Sequence, residues 1–146
     1  MYSLDGKKAM ANEDLIVGMC YLGQNPVKVI FDCGATCSFI SYRCVKTLQL
    51  PLSLLIPPMT VSTATDGGLV ANYVCENCQI IVSSKTYYID LVCLPMKQLD
   101  VILGMDWISA NHVCIGCSKK SIYMPTSNTA EGVALSELIN RTHQLV

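Results

Sequence analysis

The sequence predicts a mainly β, barrel-like domain with one or two short helices. Short runs of β-forming residues recur between turn clusters such as Gly23-Gln24-Asn25-Pro26, Asp66-Gly67-Gly68 and Ser83-Ser84-Lys85. Helical spacing shows in only two internal places, residues 38–50 and 104–110. No long alternation of strand and helix is present, which excludes a parallel-sheet nucleotide fold.

Residues 1–13 are polar and lack a sustained period, so they read as a linker or arm. The domain proper is expected over 14–125, followed by a linker or tail over 126–146 in which Leu135, Leu138 and Ile139 give weak helical periodicity. Within the domain, residues 15–22 and 27–31 are apolar β-formers on either side of a turn, a hairpin that delivers Asp32 to its tip. Over 38–50 the period changes, and Phe39, Ile40, Cys44, Val45 and Leu48 fall on one helical face that Pro51 closes. Residues 60–74 read as strand, turn and strand, because Asp66-Gly67 between β-formers is a strong hairpin signal. Residues 78–82 and 86–94 make another hairpin. Both faces of its second strand are largely apolar, as in a strand sandwiched in a core. A short buried strand is expected at 101–103, a short helix at 104–110 and a last hairpin at 113–123.

At 146 residues, half of them apolar and 14% charged, the chain is long enough for one compact domain and too apolar for general disorder. The near-neutral charge balance gives no electrostatic support for binding nucleic acid. No apolar stretch approaches the roughly 20 residues that span a bilayer. Nor does an apolar block follow the early lysines, so neither membrane insertion nor secretion is expected. On that reading the nine cysteines are reduced thiols acting as small apolar residues, and the sequon at Asn140 is discounted.

Chemistry concentrates at Asp32. The run Val29-Ile30-Phe31 ends on this one acid and is followed at once by Cys33, Gly34, Ala35 and Thr36. A carboxylate at the mouth of an apolar strand loses solvation, which makes its proton affinity adjustable. Glycine lets backbone approach it where a Cβ would intervene. Asp-x-Gly alone is weak, since both residues populate turns everywhere. Asp66-Gly67-Gly68 also satisfies it and, without an apolar lead-in, reads as a turn. Downstream, Asp100 to Ile108 forms a second block, DVILGMDWI.

Together the segments VIFDCGATCSFIS and DVILGMDWIS resemble the protease segment of gypsy-type LTR retrotransposon polyproteins, a branch of the retropepsin-like aspartic proteases. The resemblance covers about residues 14 to 124. It implies a closed retropepsin-like β-barrel acting as a homodimer without cofactor or metal. Asp32 is then the catalytic residue, with Cys33, Gly34, Ala35 and Thr36 as the active-site loop and Ile102, Leu103 and Gly104 packed beneath. The hairpin at Asp66, Gly67 and Gly68 takes the position of the flap, although an ordinary exposed hairpin fits the residues equally well. The implied substrate is an extended polypeptide, the chain's own polyprotein, processed in the cytoplasm or in virus-like particles. Cys33 departs from the family pattern, which carries Ser or Thr there, and a thiol is the weaker hydrogen-bond donor.

Peptide hydrolysis by carboxylates needs one to activate water and a second to deliver a proton. This chain offers one convincing Asp-x-Gly, so the second must come from a symmetric partner, or the chain is not such an enzyme. Three other readings compete. The domain could be an inactive, dimerising protease relic. Cys33 could be a nucleophile, but the only histidines, His112 and His143, lie in no recognisable partner context. Cys75/Cys78 and Cys114/Cys117 have zinc-ribbon spacing, against which stands their position in strands, where residues three apart point to opposite faces. Trp107 reads as a core or interface anchor, Asp106 as a helix cap, and Thr36 and Ser38 as turn residues or loop-bonding hydroxyls.

Overall fold

The computed structural model describes residues 2–4, 16–63, 68–116 and 121–124. Among the described residues, the strands and helices follow one another as β1 (Tyr2–Leu4), β2 (Ile16–Leu22), β3 (Asn25–Phe31), β4 (Phe39–Ser41), α1 (Tyr42–Leu48), β5 (Ser53–Thr63), β6 (Leu69–Val82), β7 (Lys85–Leu94), β8 (Val101–Leu103), α2 (Met105–Ala110), β9 (Cys114–Gly116) and β10 (Ser121–Tyr123). Strands β6, β2, β3, β8, β4 and β7 are neighbours in that order, and β7 pairs back onto β6, so these six close a barrel. Closure leaves them no free edge. β5 pairs with the first half of β6 outside the ring, and β1 lies parallel to β5, Tyr2 opposite Val61. β9 and β10 form a separate antiparallel ribbon.

The mainly β class and the short helix after Gly104 are as expected. Three local readings are corrected. The helix of residues 38–50 begins only at Tyr42, because Phe39 to Ser41 pair with β7 on one side and β8 on the other. Tertiary pairing overrides the helical spacing there, and the Ser41 hydroxyl caps the helix by accepting from the Cys44 N–H at 3.0 Å. β5 starts at Ser53, ahead of the expected residue 60. Pro57 and Pro58 fall inside it, in the gap where the register shifts between Leu54 and Met59, so neither is asked for a ladder bond. Finally, residues 78–82 are no separate strand but the second half of β6, which runs unbroken to Val82 through an irregularity at Cys75–Cys78.

β3 over Val29 to Phe31, and β8 throughout, are buried on both faces. Val29, Phe31, Val101 and Leu103 point into one apolar cluster with Leu22, Ile80, Leu91 and Trp107. Ile30 and Ile102 point into the other, with Ala35, Phe39, Val61, Val74 and Leu94. That is why these strands read as continuous apolar runs. β7 is sandwiched only over Leu91 to Leu94; Tyr88 and Asp90 are exposed. The Ser83-Ser84 turn has both residues at positive φ, 49° and 70°, the mirror-image turn that suits strand twist, made here without glycine.

Trp107 anchors the first cluster at 2% exposure. Its ring lies 5.8 Å from that of Phe31 and edge-on to Tyr87 at 5.2 Å. Its indole Nε1 has no hydrogen-bond partner among the described residues. Its contribution is therefore apolar area. Trp107→Ala is expected to cost about 3–5 kcal/mol in denaturant melts, and Trp107→Phe much less, because no hydrogen bond is lost. A Phe variant as unstable as the Ala variant would show that the indole N–H is engaged.

Candidate active site

Asp32 follows the last residue of β3 and is half-buried, while Cys33, Gly34 and Thr36 are exposed and Ala35 is fully buried. The loop is held by its own backbone. Asp32 N–H donates to Leu103 O at 2.9 Å, and Ala35 N–H donates back to Asp32 O at 3.1 Å. The Asp32 Oδ1 accepts from Gly34 N–H at 2.8 Å. A Cβ on Gly34 would sit 3.1 Å from that same oxygen, so glycine is what allows the amide to approach the carboxylate so closely.

Beneath the loop, β8 threads between β3, to which it runs parallel, and β4, to which it is antiparallel. The chain then turns at Gly104 into α2. Met105 N–H donates to Ala35 O at 2.7 Å and Asp106 N–H to Thr36 O at 3.2 Å. A Cβ at Gly104 would fall 2.2 Å from Cys37 O and 2.6 Å from Ala35 O, which no packing adjustment of side chains relieves. Ile102, 4% exposed, supports the loop from the second cluster, and Leu103 is fully buried in the first. The triplet thus lies under the loop.

Two residues matter more than the sequence suggested. Ser38 is fully buried, and its Oγ donates to Asp106 Oδ1 at 2.5 Å while accepting from Gly104 N–H at 3.0 Å. Its own N–H reaches Asp106 Oδ2 at 3.2 Å. Asp106 is therefore not the expected helix cap. Gly104 holds that position, and the Asp106 carboxylate clamps the loop through Ser38. One signal was readable: Ser38 is a lone hydroxyl between Cys37 and the apolar pair Phe39-Ile40, and a buried hydroxyl requires partners.

Of the residues expected to form a flap, Asp66 and Gly67 lie outside the described residues. Gly68 is exposed, and the place of its Cβ would be 3.8 Å from Val61 O across the hairpin. Val61 belongs to the same apolar cluster as Ala35, so the β5–β6 hairpin roots against the loop. His112 is exposed in the turn after α2, its N–H on Ser109 O, and His143 lies outside the described residues. Of the two CxxC pairs, Cys75 and Cys78 lie in the barrel and Cys114 is exposed on the separate ribbon, with Cys117 outside the described residues. Among the described residues no group of three or more His, Cys, Asp or Glu is arranged to hold a metal ion, and no helix is long and apolar enough to cross a membrane.

Residues 1–130 match the family model for retroviral aspartyl proteases. The chain belongs to that family. A search of curated proteins gives no match. Among solved structures, the fold is similar to the retroviral protease-like domain of Ddi1 from Leishmania major, with a TM-score of 0.57 at 14% identity, covering 75% of this chain and 87% of that one. It is also similar to EIAV protease complexed with the inhibitor HBY-793, with a TM-score of 0.53 at 14% identity, covering 64% of this chain and 85% of that one. At such identities these likenesses establish the retropepsin-like barrel and nothing finer.

The Ser38–Asp106 clamp predicts a stability effect away from the loop's exposed tip. Ser38→Ala leaves the Gly104 N–H and the Asp106 carboxylate short of a partner, and should cost about 1–3 kcal/mol in equilibrium unfolding. An unchanged midpoint would mean that water replaces the hydroxyl without loss.

Proposed function

We propose that the chain is an aspartic endopeptidase working as a homodimer, with Asp32 of each copy forming the catalytic pair. The supporting observation is the setting of Asp32: a carboxylate fixed by the Gly34 amide, on a backbone locked from below, with the loop's tip facing solvent. A carboxylate so placed can meet its symmetry mate, whereas one sealed in the monomer cannot. Two carboxylates about 3 Å apart cannot both ionise, so they share one proton. The ionised member takes a proton from water as that water adds to the scissile carbonyl, and the protonated member supplies the proton that the peptide needs for cleavage.

The substrate is an extended polypeptide, lying between the loop and the hairpin at Asp66, Gly67 and Gly68, which serves as the flap. Main-chain hydrogen bonding to strands binds such a segment with little demand on its sequence. The domain spans residues 14–125, its natural substrate is a retroelement polyprotein containing it, and its place of action is inside the cell. Asp32→Asn should abolish peptide cleavage while leaving the circular dichroism spectrum and melting curve intact. Cleavage retained by that variant would remove the assignment.

Cys33 favours a second reading, a dimerising domain with little or no activity. The family's hydroxyl at this position is replaced by a weaker donor on an exposed loop. Cys33→Ser restores the hydroxyl at nearly the same size. It should strengthen dimerisation severalfold in sedimentation velocity and raise cleavage with it. A dimer tightened with cleavage still absent, and pepstatin without effect, would favour the inactive reading.

A further inference from the structure

β6 and β7 keep register on both sides of an irregularity: Cys75 stands opposite Leu91, and Cys78 stands opposite Ile89. Three steps along β6 therefore match two along β7, a one-residue bulge in which Asn77 takes a φ of 52°. Its consequence reverses an expectation from the sequence. In a regular strand, residues three apart face opposite sides, but the extra residue returns Cys78 to the side of Cys75. Ile89, Leu91 and Cys93 alternate onto one face of β7, so Cys75, Cys78 and Cys93 share that face. Cys44 of α1 joins the same apolar cluster.

These thiols touch. The Cys78 Sγ donates to the Cys75 carbonyl at 3.5 Å. The neighbouring thiols of Cys78 and Cys93 hold the proton affinity of Cys75 below the usual thiol range, against the opposing effect of burial. The same contacts with Cys75 push the thiols of Cys78 and Cys93 up, and burial adds to the rise. Cys20 of β2, in the same apolar cluster, shows the contrasting case, pushed up to about 12 by burial alone. Access is unequal. Cys75 and Cys93 are buried, at 1% and 0% exposure, and Cys78 is half-buried at the edge of the cluster.

We propose that Cys75 and Cys78 are a redox modification site, a dithiol that low-molecular-weight disulfides of the glutathione class convert to an internal disulfide across the bulge. Matching two strand steps puts their Cα atoms about 6.8 Å apart, at the upper end of what a disulfide spans. Cys93 is the diagonal neighbour of Cys75, at roughly 7–8 Å, beyond that range. The half-buried Cys78 reacts first. Its thiol and the oxidant RSSR give Cys78–S–SR and RSH. The Cys75 sulfur then attacks Cys78 Sγ, breaks the S–SR bond and releases a second RSH. The two thiols lose two electrons and two protons, and the oxidant is reduced to two thiols.

The test uses the full chain, reduced and then equilibrated in glutathione buffers of increasing oxidised fraction, quenched with acid, denatured, alkylated and mapped by mass. The expected product is a peptide containing Cys75 and Cys78 that has lost two hydrogens and takes up no alkylating agent, with Cys20 and Cys93 fully alkylated. In Cys75→Ser the reaction should stop at a glutathione adduct on Cys78, and in Cys93→Ser the internal disulfide should still form. Complete alkylation of both Cys75 and Cys78 throughout the series, or a bridge from Cys75 to Cys93, would overturn the proposal. Both outcomes are read on the unmutated chain and need no peptidase activity.

Discussion

Gly104 lies where β8 leaves the barrel and passes under the loop that carries Asp32, and the carbonyl oxygens of Ala35 and Cys37 stand where its side chain would begin. The close crossing is what lets Met105 and Asp106 donate their backbone N–H groups upward to Ala35 and Thr36. Without it the loop would be tied only to β3 behind it and β4 ahead of it. With it, the loop's carbonyls are satisfied from below, and the buried hydroxyl of Ser38 closes the remaining gap between loop and helix. The rest of the site inherits its geometry from this contact: the half-buried carboxylate, the tight amide of Gly34 and the exposed tip.

Two-sided burial makes the crossing stable. β8 is only three residues long, and all three are buried. A strand that short gains little from its own ladder bonds. It is fixed because Val101 and Leu103 fill one apolar cluster and Ile102 fills the other. A slip of one residue would exchange the two sets and disrupt both clusters. Asp100 adds a polar stop at the strand's start, accepting from the Lys28 N–H at 2.8 Å and lying 3.4 Å from the exposed Arg43 guanidinium. Register at β8 is therefore set from three sides before Gly104 is reached.

Much of this was legible in the sequence, and what was missed has physical causes. The strand ending on Asp32, the short buried strand at residues 101–103 and the turn at Ser83-Ser84 are local signals, carried by residues whose hydropathy and size speak for themselves, whereas the place of Ile102, Leu103 and Gly104 beneath the loop was implied by the family resemblance. The helix start was misplaced because Phe39 and Ile40 satisfy helical spacing and strand burial alike, and only pairing with β7 and β8 decides between them. Asp106 was misread as a cap because its partner, Ser38, is distant in sequence, and no periodicity reports a polar contact of that range. The prolines of β5 concealed the strand's beginning, since nothing in the sequence shows that a register gap will receive them.

The bulge in β6 lies where the strand passes from the barrel wall to its pairing with β5. Over Val74 to Val82 the strand pairs with β7 and belongs to the barrel wall, while over Leu69 to Val74 it pairs with β5 and leaves the ring. A strand of 14 residues following one straight course could not serve both partners, because sheet twist would carry its far end away from β5. An extra residue bends the strand and increases its local twist. It also brings side chains that would alternate onto a common face, and in this chain those side chains are thiols. The feature that turns β6 from the barrel wall toward β5 is thus the one that gathers Cys75 and Cys78. A covalent bond between these two sulfurs would fix the bend at the hairpin's root, while leaving the loop's own hydrogen bonds untouched.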